Sequence, residues 1–227
     1  MTTTLLPTTR ELRELLAEEA RALGGTLPDV FDDGERLFAR AVLPAAVEVR
    51  PRDRVRGGVA MRVVGEEVLV HPYTFRLVCS NGAMVAHALQ ARRVTRAEFY
   101  APTEVVAAVG DAVRGAVRAC ASAEAFAGAA REMRSALEVQ ADIMLHLLPM
   151  LSRLPQHVAA QALPHILGRF EGGRDRSAFG LMNAVTSVAR DTRDPEARWR
   201  LEELGGAVPA RLQPRPRVAP DAVVLTA

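Results

Sequence analysis

The residues best suited to chemistry in this chain are arginines. Arg50, Arg52, Arg54 and Arg56 recur at every second position, so an extended backbone would project them from one face. Arg62 and Arg76 sit in the two β-like runs that follow, and Arg92, Arg93 and Arg96 come shortly after. A planar guanidinium can fork onto phosphate and stack on a base. A nucleic-acid strand calls for charges that track its backbone and for planar groups against its bases. These nine side chains are therefore expected to form a basic sheet surface or groove for single-stranded nucleic acid, with Tyr73, Phe75, Phe99 and Tyr100 as the nearby aromatics. Charge placement agrees. The net charge is only +2, yet residues 50–100 carry nine Arg against four acids, while residues 1–49 carry five Arg against nine. All 29 basic residues are arginine.

A second polar set, Asn183, Thr186 and Arg190, falls at helical spacings of three and four and would share one stripe. It has two readings: polar positions that fix a helix against the β-rich segment, or ligand contacts.

Other chemistry is hard to find. The chain has no GxxxxGK[ST] loop, no GxGxxG after a strand, no GxSxG and no HExxH. His71, His87, His146, His157 and His165 lack metal-ligand spacing, and His146, inside IMLHLLP, reads as a hydrogen-bonded core histidine. Glu66 and Glu67 share a turn and would point apart. Cys79 and Cys120 lie in apolar contexts and read as buried free thiols. The expectation is a protein that is not an enzyme, with no cofactor and no metal.

The elements that must position the arginines follow from pattern. Thr8 and Glu11 form a capping box ahead of an amphipathic helix over residues 8–24 whose glutamates give it an acidic outer face. Residues 28–34 read as turn-rich. A β-rich segment over 36–82 contains the hairpin Val59–Val64/Glu67–Cys79, closed by Gly65-Glu66. His71-Pro72 suggests a kink, and Ser80-Asn81-Gly82 a closing turn. Residues 83–206 read as helical. Thr103 and Ser122 are candidate caps, the helix after Ser122 extending to Pro149. Asp194-Pro195 starts a last helix that Gly205-Gly206 ends. The fold class is α+β: an antiparallel hairpin or small sheet packed against helices, with a helical C-terminal half. Residues 1–212 read as one domain and 213–227 as a Pro-rich tail. No run approaches the ~20 apolar residues of a membrane helix, and the start has no signal-peptide pattern, so a soluble cytoplasmic protein is expected, without a membrane partner.

Two segments carry a family resemblance. GGVAMRVVGEEVLVHPYTFRLVCSNGAMV is similar to a strand pair running into an R-[LV]-V-C-x-N-G turn, here Arg76, Leu77, Val78, Cys79, Asn81 and Gly82. FGLMNAVTSVARDTRDPEARWRLEELGG is similar to an N-A-V-T helix, here Asn183 to Thr186, followed by a Gly-ended helix. Their order and separation resemble the phage/plasmid-like family known as domain of unknown function 932, over roughly residues 36–206. ARRVTRAEF stands where that family has a basic RHT-like element, without its His. The resemblance implies a mobile-element setting and no known reaction. By looser analogy of layout it points to ring-forming single-strand annealing proteins, involved in DNA recombination. The expected function is thus non-enzymatic nucleic-acid binding, single-strand DNA binding or annealing by a homo-oligomer. RNA binding is one alternative. The other is a self-assembling protein-interaction module, in which the acidic first helix of one copy faces the basic hairpin of the next.

Overall fold

In a computed structural model that describes residues 7–77, 81–84, 91–95 and 105–211, the chain is α+β. The N-terminal half forms an antiparallel sheet and the C-terminal half is helical. Helix α1 (Thr9–Ala22) begins at the expected capping box and leaves through Gly24, whose φ is +73°. Strands β1 (Thr26–Asp32), β2 (Arg36–Arg50), β3 (Asp53–Val64) and β4 (Glu67–Arg76) follow as a meander, and β5 (Asn81–Met84) and β6 (Arg92–Thr95) both pair with β4. The remaining described elements are helices α2 (Val105–Cys120), α3 (Ala123–Leu137), α4 (Leu148–Leu151), α5 (Gln156–Gly172), α6 (Ala178–Asp191) and α7 (Pro195–Ala210), with a π-helical turn at Ile143–Leu147.

The β3–β4 register is unbroken from Val55↔Arg76 to Val64↔Glu67, so the expected kink at His71-Pro72 is absent. β6 pairs with Glu67–Val70 and β5 with Tyr73–Arg76. Pro72, which has no N–H to donate, therefore falls in the gap where no strand lies on that side. Gly65 turns the hairpin at φ +58°.

This register divides the sheet into two faces. One carries Val59, Met61, Val63, Val68 and Val70, buried under α1 and α2 by Leu12, Leu16, Val109, Val113 and Val117. Farther along the same face, Val55 lies in a core built from α3, α5 and α6. The opposite face carries Phe38, Ala60, Leu69 and Tyr73, over which α7 lays the fully buried Trp199. The sheet is covered on both sides over most of its length, which is why its strands read as near-continuous apolar runs.

Several expectations change. Residues 28–34 are not simply a turn: β1 occupies Thr26–Asp32 as an edge strand, with a bulge at its start. Asn81 and Gly82 open β5 rather than closing a turn, and the region expected to be helical from 83 begins with two short strands. The helix that starts at Ser122 stops at Leu137 rather than reaching Pro149. Gly205 and Gly206 lie inside α7, where α6 and β5 approach too closely for a side chain. A Cβ on Gly205 would meet Thr186 Cγ2 at 2.4 Å, and one on Gly206 would meet the Met84 carbonyl oxygen at 1.5 Å. The caps at Ser122 and Asp194 are as expected, and Ser177 caps α6. Thr103, Cys79, His87 and residues 212–227 lie outside the described residues. No described helix is long and apolar enough to cross a membrane.

Candidate nucleic-acid interface

The nine arginines divide into neutralised and open groups. Arg50 donates to Asp53 and Asp175, and Arg76 donates through Nε to Asp53 Oδ1 at 2.7 Å. Both guanidiniums stack over Phe179, 5.4 and 5.6 Å from its ring centre. Burial works to raise the pKa of Asp175, but hydrogen bonds from Ser177 and the Arg50 guanidinium outweigh it and hold the carboxyl below its usual range. Arg62 is only 7% exposed. It forks onto Glu196 through Nε and Nη2 at 2.9 and 3.1 Å and reaches Glu67 at 3.1 Å. Arg50, Arg62 and Arg76 are thus ion-paired within the fold. The continuous open strip expected from the sequence does not form.

Arg92 and Arg93 are exposed on β6, with Arg93 paired to Glu67 at 3.1 Å and Arg92 donating to the Ala91 carbonyl. They sit at the far end of β4 from the hairpin arginines. Arg93 is opposite Leu69 and Arg56 is opposite Phe75, about 20 Å apart at ~3.3 Å per strand residue. Arg96 lies outside the described residues.

Arg52, Arg54 and Arg56 are different. All three are exposed, and among the described residues no carboxylate pairs with their side chains. Arg52 holds the β2–β3 turn at φ +65°, with its N–H donated to Glu48 Oε1 at 2.8 Å. Arg54 lies opposite Glu48, and Arg56 lies between Ala46 and the half-buried Phe75. By strand alternation Arg54, Arg56, Phe75 and Glu48 share the face that α7 covers farther along. At this end Glu48, Arg54 and Arg56 are exposed among the described residues.

The segments that carry the family resemblance do meet. Arg76, Gly82, Asn183 and Thr186 line one small cleft, with Val55 and Thr74. Each polar group there has a packing role. Gly82 lies under Tyr73, whose hydroxyl oxygen would be 1.8 Å from a Cβ. Thr186 Oγ1 donates to the Met182 carbonyl and Asn183 Nδ2 to the Phe179 carbonyl, both within α6. Asn183 Oδ1 is buried and accepts no hydrogen bond from the described residues. Arg190 is apart from this junction, at the exposed end of α6 against Asp191. The set therefore splits: Asn183 and Thr186 lie at the α6–β5 junction and Arg190 does not.

No family model, curated protein or solved structure matches the chain. The resemblance to the phage/plasmid-like family rests on the two quoted segments alone.

The most buried charges lie beneath α7. Arg40 (3% exposed) donates through Nε to Glu202 Oε2 (1% exposed) at 2.7 Å, and Arg198 bridges Glu202 to Asp29. Burial works against the charge on Arg40, but Glu202 and Asp29 outweigh it and raise its pKa further. This network fastens α7 to β1 and β2 and faces no cleft. His146 is a core histidine whose Nδ1 accepts the Asp142 N–H at 2.8 Å. Burial pushes the Cys120 thiol up to about 12, which keeps it protonated. Among the described residues no group of His, Cys, Asp or Glu is placed to hold a metal.

Segment counting missed two things. The carboxylates that neutralise Arg50 and Arg62 lie 125 and 134 residues away in sequence, on Asp175 and Glu196. Arg134 was also overlooked: from α3 its Nη2 donates to the Glu48 carbonyl at 2.9 Å, beside the β2–β3 turn. No spacing links Arg134 to the hairpin.

Proposed function

We propose that the chain is a non-enzymatic protein that binds the backbone of single-stranded nucleic acid, DNA or RNA, at the open end of the sheet. One observation carries this reading: Arg54 and Arg56 project without carboxylate partners among the described residues, beside the half-buried ring of Phe75. Unpaired guanidiniums supply sequence-independent phosphate contacts, and a neighbouring ring supplies a surface for a base. The family resemblance supports the same class, with annealing in a mobile-element setting as its finer form. The test is fluorescence anisotropy with labelled oligo-dT and oligo-U. Binding at low salt that the double substitution Arg54→Glu/Arg56→Glu abolishes is the expected result. Undetectable binding of both polymers at low salt would end the proposal.

Self-assembly is a second reading, and β1 favours it. β1 is an edge strand among the described residues, on which Val30 and Phe31 stay exposed. The acidic helix face gives this reading less support than its sequence suggested. Glu19 is buried against Arg118 and Arg114, Glu14 pairs with Arg10, and Glu11 serves the cap. Mass photometry without nucleic acid distinguishes the two, since a monomer at micromolar concentration would eliminate assembly through β1.

A further inference from the structure

The ladder between β1 and β2 ends at Val42, so among the described residues β2 from Ala46 to Arg50 is paired on one side only, with β3. At this open edge α3 delivers an exposed arginine from the far side of the sheet. Arg134 Nη2 donates to the Glu48 carbonyl at 2.9 Å. Glu48 is also the residue whose side chain accepts the Arg52 N–H and whose cross-strand partner is Arg54. Three arginines from three places, the turn, β3 and α3, are therefore neighbours of one residue: Arg52 through its backbone N–H, Arg54 across the ladder and Arg134 through its guanidinium. Among the described residues none of the three has a carboxylate partner for its side chain.

Arg134 differs from the other two in being held. Its hydrogen bond to a backbone carbonyl tethers one end of the guanidinium without cancelling its charge. The N–H groups not used by Glu48 have no acceptor among the described residues. A planar donor fixed in place loses less side-chain entropy on binding a phosphate than a free one does. A carbonyl partner, unlike the carboxylates on Arg50, Arg62 and Arg76, leaves the full positive charge available to an anion.

We propose that Arg134, with Arg52 and Arg54, forms a phosphodiester-binding site at the open edge of β2, so that a bound strand passes from the Arg56–Phe75 face around the sheet edge to α3. This site rests on the nucleic-acid reading above and adds a contact from the helical half of the chain. It also assigns the strand a direction across the sheet end rather than along the hairpin.

The test uses the full chain and a labelled oligo-dT probe, with affinity measured across a salt series. Arg134→Ala is expected to weaken binding about tenfold, the value of one charge-assisted contact, and to make the slope of log K against log salt shallower by about 0.7. Arg134→Lys keeps the charge but loses the fork, and is expected to retain the wild-type slope at reduced affinity. Arg21→Ala, at an exposed position on α1, serves as a control and is expected to bind as wild type. A purely structural role for Arg134 would lower thermal stability and leave the slope unchanged. If Arg134→Ala binds with wild-type affinity and slope while Arg54→Glu/Arg56→Glu does not bind, the site at the β2 edge is refuted and the sheet-face reading stands. If the wild-type chain itself fails to bind the probe, both fall.

Discussion

The number of phosphates neutralised is the quantity on which the sequence and the structure disagree most sharply, and salt dependence measures it. For single strands, log K falls with log salt at a slope of about −0.7 per phosphate contacted. Nine arginines acting together would give a slope of about −6, and raising salt from about 50 to about 200 mM would then weaken binding several-thousandfold. The guanidiniums at the sheet end without a carboxylate partner among the described residues are Arg52, Arg54, Arg56 and Arg134. They give a slope of about −3 and a loss of about 50-fold over the same range. Substituting both Arg54 and Arg56 by Ala should bring the slope to about −1.4. Arg93→Ala, about 20 Å from the site, should leave it unchanged.

The assay is a fluorescence anisotropy titration of a labelled oligo-dT at four or five salt concentrations, with the fold of each variant checked by circular dichroism. A wild-type slope near −6 would refute this partition, because it would mean that binding strips Arg50, Arg62 and Arg76 from Asp53, Asp175 and Glu196. A slope of about −3 that stays the same in the Arg54→Ala/Arg56→Ala variant would place the contacts elsewhere on the molecule.

Further outcomes concern what holds this site in shape. Glu202→Ala leaves the buried Arg40 with only the longer Asp29 pair at 3.5 Å and should cost about 3 kcal/mol in a denaturant melt, whereas Arg40→Met/Glu202→Leu should recover most of that loss. Gly206→Ala places a methyl carbon 1.5 Å from the Met84 carbonyl oxygen, so it should lower the melting temperature sharply. Gly110→Ala, with nothing within 4 Å of its Cβ on α2, should instead stabilise by about 0.5–1 kcal/mol. Burial, with a smaller contribution from Arg93, lowers the His71 pKa from 6.5 to about 4. The folded state therefore favours neutral His71. That contribution is complete above pH ~6.5 and is lost as pH falls towards 4, up to about 3 kcal/mol. His71→Gln should flatten this limb relative to wild type in urea melts taken between those two pH values.

Much of the fold was legible because local chemistry set it. The Thr8–Glu11 box, the Gly65 turn and the caps at Ser122 and Asp194 each depend on residues within a turn or two of one another. The misreadings share a cause in tertiary packing. β1 reads as a turn because Pro28, Asp29 and Asp32 dominate its composition. Yet Asp29 is matched to Arg198 and Asp32 to Thr9 and Arg13, so its polar groups are satisfied by other elements. Gly205-Gly206 has the composition of a helix stop. It is continued through because β5 and α6 need its bare backbone. Proximity of this kind leaves no mark on periodicity.

The arginines show why charge counted along a chain is a poor guide to charge on a surface. Of the residues that alternate from Arg50 to Arg56, the first turns back to Asp53 and Asp175 while Arg54 and Arg56 face solvent. The same alternation that suggested a basic strip thus contributes to both core and surface. Arg62 lies on the Arg54 and Arg56 face of β3, but farther along, where α7 lays Glu196 over it. Arg50 and Arg76 are neutralised by Asp53 and Asp175, but on the face of Arg54 and Arg56 what separates an open guanidinium from the neutralised Arg62 is where α7 stops on the sheet. That boundary is fixed by Trp199 against Phe38 and His71 and by Gly206 against the Met84 carbonyl. The packing that anchors α7 therefore also determines how much of the arginine-bearing face a polyanion can reach. A substitution at Gly206 should alter nucleic-acid binding only through loss of the fold, whereas one at Arg54 should alter binding with the fold intact.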